Sequence, residues 1–117
     1  MIYTDEQAWA ALPDEERKAI VREYYSLADE LSSQSRYKGG APLHPTSTAT
    51  TVRVRDEEQV VTDGPYAETK EQLGGFFLIE AGSPGEAAAW AAKVPAARYG
   101  AVEVRPVVPV RAEVAVG

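Results

Sequence analysis

The chain has 117 residues, enough for one domain with a real hydrophobic core but little room for a second. Twelve Lys and Arg against eighteen Asp and Glu give a net charge of −6, and no basic block stands anywhere in the sequence. Because phosphate neutralisation supplies most nucleic-acid affinity, this composition disfavours nucleic acid as a main partner. There is no cysteine, which excludes disulfides, thiolate catalysis and Cys-ligated metals.

The sequence shows no recognisable targeting segment. No charged stretch followed by an apolar run resembles a secretory signal. No apolar run approaches the roughly 20 residues that a membrane-spanning helix needs. We therefore expect a cytoplasmic protein that does not associate with membranes, organised as a single domain over residues 1–117.

Two helices are predicted in the N-terminal third. The first opens at Thr4-Asp5-Glu6, with Thr4 or Asp5 as N-cap, and ends at Pro13. Acidic residues directly after Pro13 favour the start of a second helix, because the helix dipole stabilises negative charge there. Apolar residues at helical spacing extend this helix to about Ser32. They are Ile20, Tyr24, Leu27 and Leu31.

A third helix is predicted from Glu86 to Lys93. Ser83 stands at the N-cap position, Pro84 occupies the first helical position and Glu86 completes a capping box. Pro95 closes the helix.

Alternating, β-branched residues predict four strands after a short N-terminal one. They are Thr48 to Arg55, Gln59 to Thr62, Phe76 to Ala81 and Val102 to Val107, with a charged turn between the first two. The segment Tyr37 to Pro42 contains two glycines and is interpreted as a connection. The order strand, helix, strand, strand, strand, helix, strand predicts an α+β fold with a ferredoxin-like antiparallel sheet and two main helices on one face.

The second face of such a sheet needs a cover. Phe76 to Ala81 and Val102 to Val108 are too apolar for a fully wet face. A homodimer is the economical solution, since symmetric association covers the same patch on both copies.

The stretch from Thr62 to Glu80 carries the most informative pattern. It joins an Asp63-Gly64-Pro65-Tyr66 turn to charged residues and a glycine pair before an apolar run. This pattern resembles the signature of the DGPF-type branch of the YCII-related family, and the resemblance extends from Ile2-Tyr3-Thr4 to Arg105-Pro106. It implies a dimeric α+β barrel, in which two sheets pack face to face.

The chain departs from the family pattern in three ways. Tyr66 stands where the name-giving Phe is usual. Family members usually carry more residues before the equivalent of Ile2, so we expect either a start assigned too late or a first strand reduced to a stub. In the second case Pro109 to Gly117 would fill the gap or swap onto a partner copy. Some members are thought to use a His and Asp pair with the His on the first long helix, and residues 13–35 contain no His. That difference weakens the case for an enzyme.

Asp63 is the first candidate for chemistry. Its carboxylate can cap backbone N–H groups in a turn or act as a general base in a pocket, and the sequence leaves both open. Glu68 and Lys70 follow closely. Runs of charge usually face water, but a carboxylate beside an ammonium is also what an acid/base pair requires. Together with Tyr66, these residues are candidate ligand contacts.

His44 is the second catalytic candidate and the one histidine of the chain. Histidine is the residue type best suited to proton transfer near neutral pH, although a lone loop histidine more often lies at the surface. Arg53 is a further candidate ligand contact. With Arg105 it would clamp a carboxylate or phosphate, and the alternative is an outward strand face with salt bridges to Glu80 or Glu103.

No metal site or cofactor is predicted, because one His and scattered carboxylates do not reach a recognised ligand spacing. Gly74-Gly75 lacks the surroundings of a phosphate loop and is interpreted as a bulge or close-packing site. The predicted function is small-ligand binding, or a regulatory accessory role, through a polar pocket at the Asp63 to Tyr66 loop. The regulatory role is implied by the resemblance to accessory proteins often encoded near extracytoplasmic-function sigma factors. The alternative is a cofactor-independent enzyme that uses Asp63 for acid/base chemistry on a small polar metabolite.

Overall fold

The computed structural model describes residues 1–109, which form six strands and three α-helices. The strands are β1 (Ile2–Thr4), β2 (Tyr37–Pro42), β3 (Thr50–Arg55), β4 (Glu58–Asp63), β5 (Gln72–Ile79) and β6 (Ala101–Val102). The helices are α1 (Glu6–Ala11), α2 (Asp14–Ser33) and α3 (Pro84–Ala92), and 3₁₀ turns lie at Thr46–Thr48 and Pro95–Arg98.

Four strands form the main sheet, in the order β2-β5-β1-β6 with antiparallel neighbours throughout. β1 and β5 are the central strands, and β2 and β6 lie at the edges. In chain order the first and third strands of this sheet are therefore central, which is the ferredoxin-like arrangement. The predicted fold class is therefore confirmed. β3 and β4 form a separate two-stranded hairpin, inserted between β2 and β5.

The second strand of the main sheet is not the predicted one. Tyr37–Pro42, interpreted from its glycines as a connection, is strand β2 and pairs with β5. Gly40 serves close packing, because a Cβ atom there would lie 2.6 Å from the carbonyl oxygen of Phe76. The next two predicted strands form and pair with each other through the predicted charged hairpin turn, where Asp56 and Glu57 have positive φ. The difference from the prediction is that they lie outside the main sheet.

The last strand is shorter than predicted. β6 ends at Val102 rather than Val107, and its pairing with β1 closes where the Glu103 N–H donates to the Met1 carbonyl at 2.8 Å. A strand persists only while a neighbouring backbone satisfies its N–H and C=O groups. The expectation for Pro109 to Gly117 concerns residues 110–117, which lie outside the described part of the chain.

Local signals start the helices as predicted. The carboxylate of Asp5 caps α1 and accepts a hydrogen bond from the Gln7 N–H at 2.9 Å. Ser83 Oγ caps α3 and accepts from the Glu86 N–H at 3.1 Å. The Glu86 carboxylate reaches back one residue further than in a standard capping box, to the Gly82 N–H at 2.8 Å.

The helices cover one face of the main sheet around a small core. Its buried hydrophobic side chains are Ile2, Leu27, Leu31, Val94 and Ala96. Trp90 of α3 packs against this cluster, and the ring of Phe77 lies 6.4 Å from that of Tyr24 and 6.1 Å from that of Tyr37. The predicted apolar stripe of α2 is confirmed, since Leu27 and Leu31 are buried.

Leu31 tests this core, because it is 2% exposed. We expect Leu31→Ala to lower the free energy of unfolding by about 2–5 kcal/mol, through lost burial and the cavity left behind. Leu43→Ala is the matched control, since Leu43 is 47% exposed and should cost much less. Chemical denaturation of the two variants would show equal losses if the core were placed wrongly.

The phenol of Tyr24 is held in its neutral form. Burial raises the pKa of Tyr24 to about 12, and the nearby Tyr99 acts in the same direction. The pKa of the folded group thus lies above the unfolded value of about 10. The resulting stabilisation is complete below pH 10 and is lost as the pH rises toward 12.

We therefore expect Tyr24→Phe to remove a tyrosine whose pKa burial raises to about 12, and so to flatten the alkaline fall in the free energy of unfolding. Tyr25→Phe is the control, because Tyr25 is the next residue and is 68% exposed. Tyrosinate absorbance of the folded protein and urea unfolding at stepped alkaline pH measure both effects. Identical curves for the two variants would contradict the assignment.

Candidate functional site

Two chain segments join the β3–β4 hairpin to the main sheet. We call residues 43–49 the His44 segment and residues 64–71 the signature loop. These two segments, together with Asp63 at the end of β4, form what we call the hairpin base. Backbone hydrogen bonds hold the ends of these segments: the Leu43 N–H donates to the Gly74 carbonyl of β5 at 2.8 Å, and the Gly64 N–H donates to the Ala49 carbonyl at 2.7 Å. Thr51 Oγ1 adds a bond to the Gly64 carbonyl at 2.8 Å. The fold therefore places His44 in a segment that borders the signature loop.

Glycines shape both ends of the signature loop. Gly64 has φ +102°, a left-handed conformation that other residues rarely adopt, and Pro65 follows it. At the other end, β5 begins with a bulge in which Gly74 is the extra residue between the partners of Ile2 and Tyr3. The predicted bulge at the glycine pair is therefore confirmed.

Glu6, the first residue of α1, connects the two segments. Its carboxylate accepts two hydrogen bonds from Thr46, one from the N–H and one from Oγ1, both at 2.8 Å. The Glu6 N–H donates to Gln72 Oε1 at 3.0 Å. Gln72 Nε2 in turn donates to the Thr69 carbonyl at 2.5 Å. We call this set of bonds the Glu6 clasp.

The sequence did not single out the members of the Glu6 clasp. Glu6 looks like an ordinary acidic residue in a first helical turn, which the dipole alone explains. Its partners Thr46 and Gln72 lie 40 and 66 residues away in the chain. Only the folded topology brings them together.

The predicted site residues of the hairpin base are all exposed. They are His44, Asp63, Tyr66, Glu68 and Lys70, with Asp63 at the end of β4 where the loop begins. Within residues 1–109, none of their side chains takes part in a hydrogen bond or ion pair. The turn-capping role considered for Asp63 therefore finds no hydrogen bond to support it.

Arg53 lies apart from this set. In the hairpin register Thr50 pairs with Asp63, whereas Arg53 pairs with Val60. Residues of odd separation along a strand point to opposite faces, so Arg53 and Asp63 lie on opposite faces of the hairpin. The predicted position of Arg105 on a strand is wrong, because Arg105 lies beyond the end of β6; its clamp with Arg53 stays a prediction.

The salt-bridge alternative for the strand arginines is also corrected in part. Glu80 pairs with Lys38 at 3.2 Å, so its partner is not an arginine.

Two grooves lie away from the hairpin base. One, of about 470 Å³, runs between α1 and α2 beside Trp9 and Val21. Another, of about 330 Å³, lies along α2, where Lys93 pairs with Glu30 at 2.5 Å. None of the predicted site residues lines either groove.

Two apolar surfaces are uncovered. Phe76 and Leu78 are each 43% exposed on the outer face of the main sheet, opposite the side that packs on the helices. On the hairpin, Val52 and Val61 form a register pair on the face that carries Asp63, and both are more than half exposed. Such apolar exposure on adjacent strands is typical of an association surface.

Two further properties bear on the kind of site. Over residues 1–109, no cluster of three or more His, Asp or Glu side chains is arranged to hold a metal ion. In the same residues, no helix combines the length and apolar character needed to cross a membrane.

The fold and site define a ferredoxin-like α+β domain with an inserted hairpin whose base is polar. The model of the YCII-related domain matches residues 1–111, so the chain belongs to the YCII-related family. The chain is also similar to an uncharacterized protein of Rhizobium meliloti (strain 1021). The two are 37% identical over 108 residues, which span 91% of this chain and 87% of that protein.

Proposed function

We propose that the chain is a homodimeric ligand-binding module of the DGPF type, which holds a small polar metabolite at the hairpin base. The observation that carries the proposal is the contrast within that base. Its backbone is tied together by hydrogen bonds, whereas His44, Asp63 and Lys70 are exposed and make no bonds with one another. A rigid frame with unengaged polar groups suits ligand binding, because little ordering is needed when the ligand arrives.

The charges of the base indicate the class of ligand. Lys70 supplies an ammonium and the signature loop also holds Glu68, with Asp63 at its edge. A metabolite with a carboxylate or phosphate would pair with the Lys70 ammonium, and a hydrogen-bond donor on the same metabolite would pair with the Asp63 carboxylate. Arg53 faces away from Asp63 within one subunit, so it contacts the same ligand only if the dimer borders the pocket.

The proposed dimer would cover surfaces that one copy of the chain leaves exposed. An isolated two-stranded hairpin is marginally stable in water, and this one exposes most of both faces. The outer face around Phe76 and Leu78 is likewise uncovered. Face-to-face packing of two main sheets, as in a dimeric α+β barrel, would cover these side chains and wall the open side of the hairpin base. The cytoplasmic location and the regulatory role stay predictions.

Catalysis is the second candidate function. Its support is that the Asp63 carboxylate is not used by the backbone of its own turn, which leaves it available as a general base. Lys70 or Arg53 would then stabilise developing negative charge, without a cofactor.

The dimer is tested by placing a charge on the outer sheet face. We expect Leu78→Lys to convert the dimer to a monomer, because it would bury an unpaired ammonium at the interface. Val21→Lys is the matched control, since Val21 is a similarly exposed aliphatic residue on α2, at 38%. Light scattering after size-exclusion chromatography measures both masses. A wild-type monomer, or a Leu78→Lys dimer, would argue against this interface.

The ligand site is tested by amide chemical shifts in the presence of a panel of small carboxylates, phosphates and amino acids. We expect shifts in residues 43–49 and 64–71, and a loss of affinity of about tenfold or more in Lys70→Met, the size of one charge-assisted hydrogen bond. Lys18→Met is the control, because Lys18 is exposed and lines the groove between α1 and α2. If Lys18→Met weakens binding and Lys70→Met does not, the ligand occupies that groove instead.

Asp63→Asn separates the two candidate functions. A binding module keeps its ligand unchanged when incubated with either protein. An enzyme converts the ligand with wild-type protein and leaves it intact with Asp63→Asn.

A further inference from the structure

We infer that Glu6 is a positioning residue, which fixes the His44 segment against the signature loop. The inference rests on the proposed function, because it assigns Glu6 to the frame of that site and not to contact with the ligand. Glu6 lies on α1, outside both segments, and bonds to one residue of the His44 segment and to the residue that follows the signature loop.

The carboxylate anchors the His44 segment at two points of one residue. Thr46 donates from its backbone N–H to Oε1 and from its hydroxyl to Oε2. Two bonds in a fork fix orientation as well as distance, and a charged acceptor makes each stronger than a neutral pair. His44 lies between this anchor and the bond of Leu43 to Gly74. The short span between two fixed points leaves the His44 backbone little freedom.

The backbone of Glu6 makes the second connection. Its N–H is one of the donors at the start of α1 that lack a partner within the helix, and Gln72 Oε1 accepts it. Gln72 Nε2 then holds the Thr69 carbonyl, next to Lys70. Because this bond uses the main chain of Glu6, a change of its side chain breaks the Thr46 connection alone.

The helix itself does not require the Glu6 carboxylate. Asp5 already caps α1, and the buried core cluster excludes Glu6. Glu6, Thr46 and Gln72 are all partly buried, where water competes less well for their hydrogen bonds. The carboxylate thus contributes mainly to the placement of the His44 segment.

The test uses the whole 117-residue chain and compares Glu6→Ala with Glu16→Ala, which removes the same charge from an exposed first-turn position of α2. We expect amide hydrogen exchange at Thr46 to quicken by about tenfold or more in Glu6→Ala only, with amide shifts moving across residues 43–49. Exchange at Leu31 in the core should stay unchanged. Glu6→Gln should restore most of the protection, because the Thr46 hydroxyl can also accept a bond from the amide.

Two results would overturn the inference. Unchanged exchange at Thr46 in Glu6→Ala would show that the clasp does not anchor the segment. Equal acceleration at Thr46 and Leu31 would show that Glu6 supports the whole fold.

Inorganic phosphate serves as the probe for the linked question of binding. We expect it to shift the amides of the hairpin base in the wild type, with affinity reduced several-fold in Glu6→Ala and kept in Glu6→Gln. Unmoved amides in the wild type across phosphate and the wider metabolite panel would count against the proposed function, while the exchange data would still decide the role of Glu6.

Discussion

One layer of helices covers one face of the main sheet, and the rest of the structure depends on that constraint. α2 buries Leu27 and Leu31 against the inner face of the main sheet, whereas Phe76 and Leu78 of the central strand β5 face outward. Because side chains alternate along β5, one set packs against the helices and the other set is exposed on the outer face. A second copy of the chain, placed on the outer face, would give the sheet the two covered sides that its composition demands.

The hairpin base follows from the same architecture. β3 and β4 leave the main sheet, so the connecting segments must satisfy their backbone groups without strand neighbours. The bonds between Gly64 and Ala49, and between Leu43 and Gly74, do part of this, and the Glu6 clasp adds to it from α1. Polar side chains collect here because the segments lie at the surface, where charged groups remain hydrated. A frame that is bonded inside and polar outside is the physical basis of the proposed ligand site.

Sequence patterns best predicted the features that depend on residues close together in the chain. The Asp5 and Ser83 caps and the length of α2 depend on neighbours within a few residues, and all are confirmed. The pairing of strands depends on residues far apart in the sequence, and the prediction failed there for β2. Gly40 was interpreted as a strand breaker, although the close approach of the β5 backbone requires a glycine at this position. The ferredoxin-like class was still predicted correctly. β3 took the place of β2 in the predicted element order, so the order of strands and helices matched the fold. The Glu6 clasp was out of reach for the same reason, since its partners are remote in sequence.

The separation of Arg53 from Asp63 ties the chemistry to the assembly. Antiparallel pairing puts these two charges on opposite faces of one hairpin, and no rotation of side chains brings a strand's two faces together. A small ligand that contacts both charges therefore needs a second surface beyond the single hairpin. The uncovered valines beside Asp63 show where such a surface would pack. In the proposed dimer, one partner copy would cover the outer face of the main sheet and would also border the polar site at the hairpin base.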